Sequence, residues 1–99
     1  FIISNETYKH FDTLKFIDTK VKNKIILVEK PLFKEHTKYK IKNKVFVAYN
    51  LRFHPIINYL KNKKIIYFNA IVGQDLRQWR NKNYKQCYSS SKIKGGGVL

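Results

Sequence analysis

The stretch IILVEKPLF, residues 25–33, decides how this chain reads. Ile25-Ile26-Leu27-Val28 is a continuous apolar run, the kind that suits a strand buried on both faces, as in a parallel sheet. The run ends on Glu29-Lys30-Pro31: an acid, a base and a residue that fixes the backbone. A lysine at the end of a buried strand is held rigidly and partly desolvated, so it can polarise a carbonyl or hydroxyl or lower the pKa of a neighbour. The bond before Pro31 is of the X-Pro kind that admits the cis form. On spacing alone, an ordinary surface turn with an ion pair explains the triplet as well, because lysine is abundant throughout.

Upstream, Phe1-Ile2-Ile3 reads as the inside of a short strand, and Ser4-Asn5-Glu6-Thr7 as a cluster able to turn the chain and cap a helix. Tyr8, Phe11, Leu14, Ile17 and Val21 then recur at spacings of three and four, one apolar helical stripe that Lys22-Asn23-Lys24 ends. Residues 1–28 therefore read strand, helix, strand, with ligands expected at the strand C-termini, beside Ser4-Asn5 and Glu29-Lys30-Pro31. Downstream, Val45–Tyr49 reads as a further buried strand. Pro31–Lys44 barely spans a parallel connection, so any helix in it is short or missing. Pro55 fits the first turn of a helix with Ile56, Ile57, Tyr59 and Leu60 on its apolar side. Ile65–Val72 reads as a long strand, and Gly73–Lys94 as a polar, aromatic-bearing stretch of the kind that often carries function.

The chain has 99 residues, one small domain's worth, and a net charge of +15 from 21 basic and 6 acidic residues. That charge raises a nucleic-acid partner. The basic residues are lysines apart from Arg52, Arg77 and Arg80, however, and arginine is what planar phosphate and base recognition favours. Cys87 is the only cysteine, which excludes an intrachain disulfide and fits a reducing compartment. No apolar run approaches the ~20 residues of a membrane span. Both ends look cut, an apolar strand at the start and Gly95-Gly96-Gly97-Val98-Leu99 at the close, so the expectation is a segment of a longer protein.

The ordered blocks IISNETYKH (2–10), ILVEKPLF (26–33), VAYNLRFHP (47–55), VGQDLRQWRNKNY (72–84) and GGGVL (95–99) together resemble the Gfo/Idh/MocA family, the glucose–fructose oxidoreductase and inositol dehydrogenase relatives. The Glu-Lys-Pro triplet after an apolar strand is the most specific of them. The resemblance implies an α/β fold: residues 1–49 as the later half of a Rossmann NAD(P)-binding domain, and residues 50–99 as the beginning of an α+β substrate and oligomerisation domain with an open antiparallel sheet. It implies a cytoplasmic enzyme, homo-oligomeric at full length, that transfers a hydride between NAD or NADP and a carbon of a sugar or nucleotide sugar.

Carried over residue by residue, Lys30 matches the family lysine beside the nicotinamide and the reacting carbon, as the catalytic group that orients the substrate hydroxyl. Glu29 and Asn5 match cofactor-binding positions, and His10 the histidine of the following helix, for which a packing role is the stronger expectation. Arg52, Trp79, Arg80 and Tyr84 resemble residues on the substrate side. The family's glycine-rich phosphate loop and its downstream Asp and His are not among these residues. The segment alone is therefore expected to be inactive and to bind no dinucleotide tightly. No metal, no membrane and no specific nucleic acid is implied. The alternative is a small basic nucleic-acid-binding module, against which Tyr8, Phe11 and Phe68 count because they fall on apolar faces.

Overall fold

The structure is a computed structural model and describes residues 1–79 and 83–96. Three strands, β1 (Ile2–Ile3), β2 (Ile25–Glu29) and β3 (Lys44–Ala48), form a parallel sheet in the order β1-β2-β3. The register pairs Ile3 with Val28, and Val28 in turn with Val47. Between β1 and β2 the chain makes a 3₁₀ turn at Thr7–Lys9 and then the helix α1 (His10–Lys20). No side chain caps either element's N-terminus, so the capping expected of Ser4–Thr7 is not realised. Asn23, at φ 55°, reverses the chain into β2 in the left-handed conformation that asparagine tolerates.

The core is small. Ile3, Ile26 and Val28 project from one sheet face onto Leu14 of α1, with Ile17, Leu32, Phe33, Ile41 and Val45 packed at the margin. Each such fully buried aliphatic side chain stabilises the fold by about 2 kcal/mol. The other face carries Ile2, Leu27 and Phe46 in register, with Ile2, Ile25 and Phe46 exposed. The expectation that β2 is buried on both faces is thus corrected. A second covering layer needs a second crossover helix, and residues 30–43 between β2 and β3 contain none.

The fold class also needs correction. A Rossmann half followed by an open antiparallel sheet does not describe this chain. Among the described residues the sheet is wholly parallel, with one helix on one face and no antiparallel pair. Beyond β3 come a 3₁₀ turn (Asn50–Phe53), α2 (Pro55–Leu60), α3 (Leu76–Trp79) and 3₁₀ turns at Tyr84–Gln86, Tyr88–Ser90 and Lys92–Lys94. Pro55 does open α2, where His54 Nδ1 accepts the Ile56 amide at 3.2 Å. Ile65–Val72 joins no strand, and every residue in it is exposed. An extended run becomes a stable strand only through ladder bonds and a packed face, and among the described residues no second strand pairs with this one. The Cα radius of gyration, 16.4 Å, accordingly exceeds the roughly 13 Å of a compact chain of this length.

Candidate functional site

Parallel strands run the same way, so the segments leaving β1, β2 and β3 emerge at one edge of the sheet. Neighbouring strands lie about 4.8 Å apart. Asn5 follows β1, Glu29 ends β2 with Lys30 next to it, and Arg52 lies in the turn after β3. Four of the residues singled out in the sequence therefore share this edge.

His10 binds two of these segments together. Its ring is buried, with Nδ1 2.9 Å from the Pro31 carbonyl oxygen and Nε2 2.9 Å from that of Asn5. The Lys30–Pro31 peptide bond is cis. The Asn5 side chain turns inward, its Nδ2 donating to the Thr13 hydroxyl of α1 at 2.9 Å, and its Oδ1 is buried without a partner. Asn5 thus meets α1 with its side chain and His10 with its carbonyl.

Glu29 and Lys30 are both exposed, and among the described residues neither forms an ion pair. The partial desolvation expected for Lys30 is not met, because Lys30 lies one residue beyond the strand and outside the packed face. Arg52 is also exposed, its amide donating to the Tyr49 carbonyl at 3.1 Å. Trp79 ends α3, and Arg80 lies outside the described residues. Tyr84 opens a separate turn, where its carbonyl accepts the Cys87 thiol at 2.8 Å; no hydrogen bond among the described residues joins it to the sheet edge.

The edge has a further contributor. Gly95, at φ 78°, sits so close to the first two segments that a Cβ there would meet Thr7 Cγ2 at 2.9 Å and Lys34 Cβ at 3.0 Å. A Cβ on Gly96 would collide with the Ser89 carbonyl. The glycines thus let residues 83–96 return to the edge. Next to this contact a cleft of about 220 Å³ opens between Thr7, Tyr8 and Phe11 on one side and Phe33, Lys34 and Glu35 on the other. Its floor is fixed by Phe11, packed edge-to-face on Phe33 at 5.3 Å and on Tyr39 at 5.7 Å. A hydrogen-bonded ion pair with Lys9, 2.9 Å away, holds the Glu6 carboxyl below its ordinary range, and Lys94 of the returning segment adds to the effect.

The opposite edge of the sheet holds a second polar cluster, one that sequence periodicity does not reveal. Asp18 is buried on α1 and accepts from the Asn43 amide at 2.9 Å, the Asn43 side chain at 2.8 Å, the Lys42 amide at 3.0 Å and the Tyr39 hydroxyl at 3.0 Å. Burial pushes this carboxyl up, but the donors from Asn43, Lys42 and Tyr39 outweigh it and hold Asp18 below the usual range. Asn43 also accepts the Lys24 amide at 2.9 Å and donates to the Val21 carbonyl at 3.0 Å. The one sequence-level signal is an aspartate one helical turn after Leu14, on the buried side of α1.

Against family models, curated proteins and solved structures, the chain finds no match. Among the described residues, no helix is long and apolar enough to cross a membrane, and no group of three His, Cys, Asp or Glu side chains is placed to hold a metal ion.

Proposed function

We propose that this chain is the part of a cytoplasmic NAD(P)-dependent oxidoreductase that brings the nicotinamide end of the cofactor to a sugar or nucleotide-sugar substrate. The observation that carries the reading is the shared strand-end edge, where Glu29 and Lys30 stand between the segments bearing Asn5 and Arg52. The donor set suits the ligand. Glu29 offers an exposed carboxylate to ribose hydroxyls, and Lys30 an exposed ammonium to a carboxamide or a substrate oxygen. Exposed Lys30, Lys34 and Arg52 along the edge favour an anionic ligand. The nicotinamide, when bound, supplies hydride chemistry; the chain's own residues orient the reacting oxygen and position the ring. Asn5 shapes the edge from beneath through Thr13 and His10.

The test is a fluorescence titration of the intact protein with NADH and NADPH. Micromolar binding of one of them is expected, weakened about tenfold in Lys30→Ala by loss of one charge-assisted hydrogen bond. In a sugar-oxidation assay followed at the NADH absorbance, the same variant should lose about 100-fold or more in kcat. An intact protein that binds neither nucleotide ends this reading.

A second reading, the basic nucleic-acid-binding module, gains one observation. Phe68, expected to pack in a core, is exposed, as are Phe53, Tyr59 and Tyr67, in a stretch that also holds Arg52, Lys61, Lys63 and Lys64. Exposed aromatics among cations are the means by which single strands are stacked and neutralised. Binding of a labelled oligonucleotide that weakens steeply with salt supports this reading, and salt-independent or absent binding removes it.

A further inference from the structure

We propose that His10 is a positioning residue: its ring bridges the segments after β1 and β2 and so fixes where Lys30 stands at the strand-end edge. The inference deepens the oxidoreductase reading, and it rests on that reading only for its functional consequence.

The geometry is specific. His10 is 1% exposed at the first position of α1. Its two ring nitrogens lie at equal distances, 2.9 Å, from carbonyls of two different segments, Asn5 on one side and Pro31 on the other. Both partners are acceptors. A ring with one N–H donates to one of them, and a ring with two donates to both. A residue that only filled space would not need a polar ring here, because burying an imidazole without partners costs free energy. Glu29 is held in the ladder opposite Ala48, and Leu32 and Phe33 pack at the core margin, so the ring acts on the Lys30-Pro31 turn between them. Lys30 has no ion pair among the described residues, and the Asn5 side chain is committed to Thr13. Pro31 has no N–H, so its carbonyl is its sole backbone hydrogen-bonding group, and His10 takes it. The bridge thus acts one peptide unit from Lys30, where a displacement of about 1 Å is enough to cost about 100-fold in a positioned reaction.

The experiment uses the intact protein and two variants, His10→Leu, which takes the ring nitrogens away from both carbonyls, and His10→Gln, whose amide retains a donor. Asn5-Glu6 and Pro31-Leu32 each occur once in these 99 residues, so paired ¹³C/¹⁵N labelling, with assignment by Glu6→Gln and Leu32→Ile, reads the two carbonyls by NMR. In the wild type a hydrogen-bonded ring N–H of His10 is expected. In His10→Leu both carbonyl resonances should move together, with those of the C-terminal turns unchanged, and His10→Gln should restore at least one. NADH affinity should fall about tenfold in His10→Leu and return to within about threefold in His10→Gln, under conditions where circular dichroism shows both variants folded.

Carbonyls that do not move, or a wild-type ring without a hydrogen-bonded proton, overturn the proposal. So does a folded His10→Leu protein whose carbonyls move while NADH binds as in the wild type. If His10→Leu does not fold, His10→Gln and the wild-type ring proton decide. If the wild type binds no NADH, the dinucleotide reading falls, and the carbonyl resonances alone decide whether His10 holds the two segments.

Discussion

Residues 1–49 and residues 50–72 are both rich in isoleucine, phenylalanine, tyrosine and lysine, yet they are held by different means. In the first region, strands paired in register press Ile3, Ile26 and Val28 onto Leu14, and two buried polar side chains tie the helix down. In the second, hydrogen bonds join near neighbours such as His54 with Leu51 and Lys61 with Ile57, and all residues but Leu60 are exposed. The difference teaches that apolar content does not make a core. What does is a partner that aligns the apolar groups on one face, which β2 has on both sides and Ile65–Val72 lacks.

The largest expected effects lie in the first region. Leu14→Ala removes a fully buried side chain from the cluster it forms with Ile3, Ile26 and Val28 and should cost about 3 kcal/mol, read as a lower urea midpoint. Asp18→Ala should cost a similar amount, about 3 kcal/mol, because it leaves the Lys42 and Asn43 amides without an acceptor. Asp18 also sets an acid limit. Its carboxyl is held below the unfolded value near 3.9, so its contribution is fully present above that value and is lost as pH falls through the folded pKa. A urea midpoint that drops below about pH 4 in the wild type, and does so less in Asp18→Asn, is the expected signature.

Smaller effects test the boundary between the regions. Gly95→Ala forces a left-handed alanine against Thr7 and Lys34 and should cost about 1 kcal/mol of docking. Limited proteolysis should then cut residues 83–96 faster, with the core melting as before; a matching fall in core stability would mean the glycine contact supports the sheet itself. The smallest change is expected from Ile66→Ala, at a side chain 95% exposed, within about 0.5 kcal/mol. If Ile66→Ala costs as much as Leu14→Ala, the comparison breaks, and the second region has a packed face of its own.

Much of the first region was legible because its signals are local. The run Ile25–Val28 announced β2, Lys22-Asn23-Lys24 the end of the helix before it, and the short span from Pro31 to Lys44 a crossover helix that is short or missing; it is missing. Pro55 marked the start of α2. The polar ties were less visible because periodicity counts apolar residues. The buried face of α1 holds His10, Leu14 and Asp18; of the apolar stripe Tyr8, Phe11, Leu14, Ile17 and Val21, only Leu14 is fully buried and the others are half-buried. The partners of His10 and Asp18 lie as far as 21 and 25 residues away, in segments with no periodic pattern of their own. Ile65–Val72 alternated as a strand should, but alternation describes one chain and a sheet takes two. The strand-end grouping of Asn5, Glu29 and Lys30 followed from the strand–helix–strand reading, whereas the exposure of Lys30 depended on what covers it.

The Asp18–Asn43 cluster has a bearing on how the helix is set. Leu14 is the one fully buried aliphatic side chain that α1 sets against Ile3, Ile26 and Val28, so apolar contact holds the helix at a single point along its length. A carboxylate that needs the amides of Lys42 and Asn43 adds a second. One end of α1 is indexed by Asp18 and the other by His10, so the helix has a single seat on the sheet, as a key cut at both ends fits a lock in one position only.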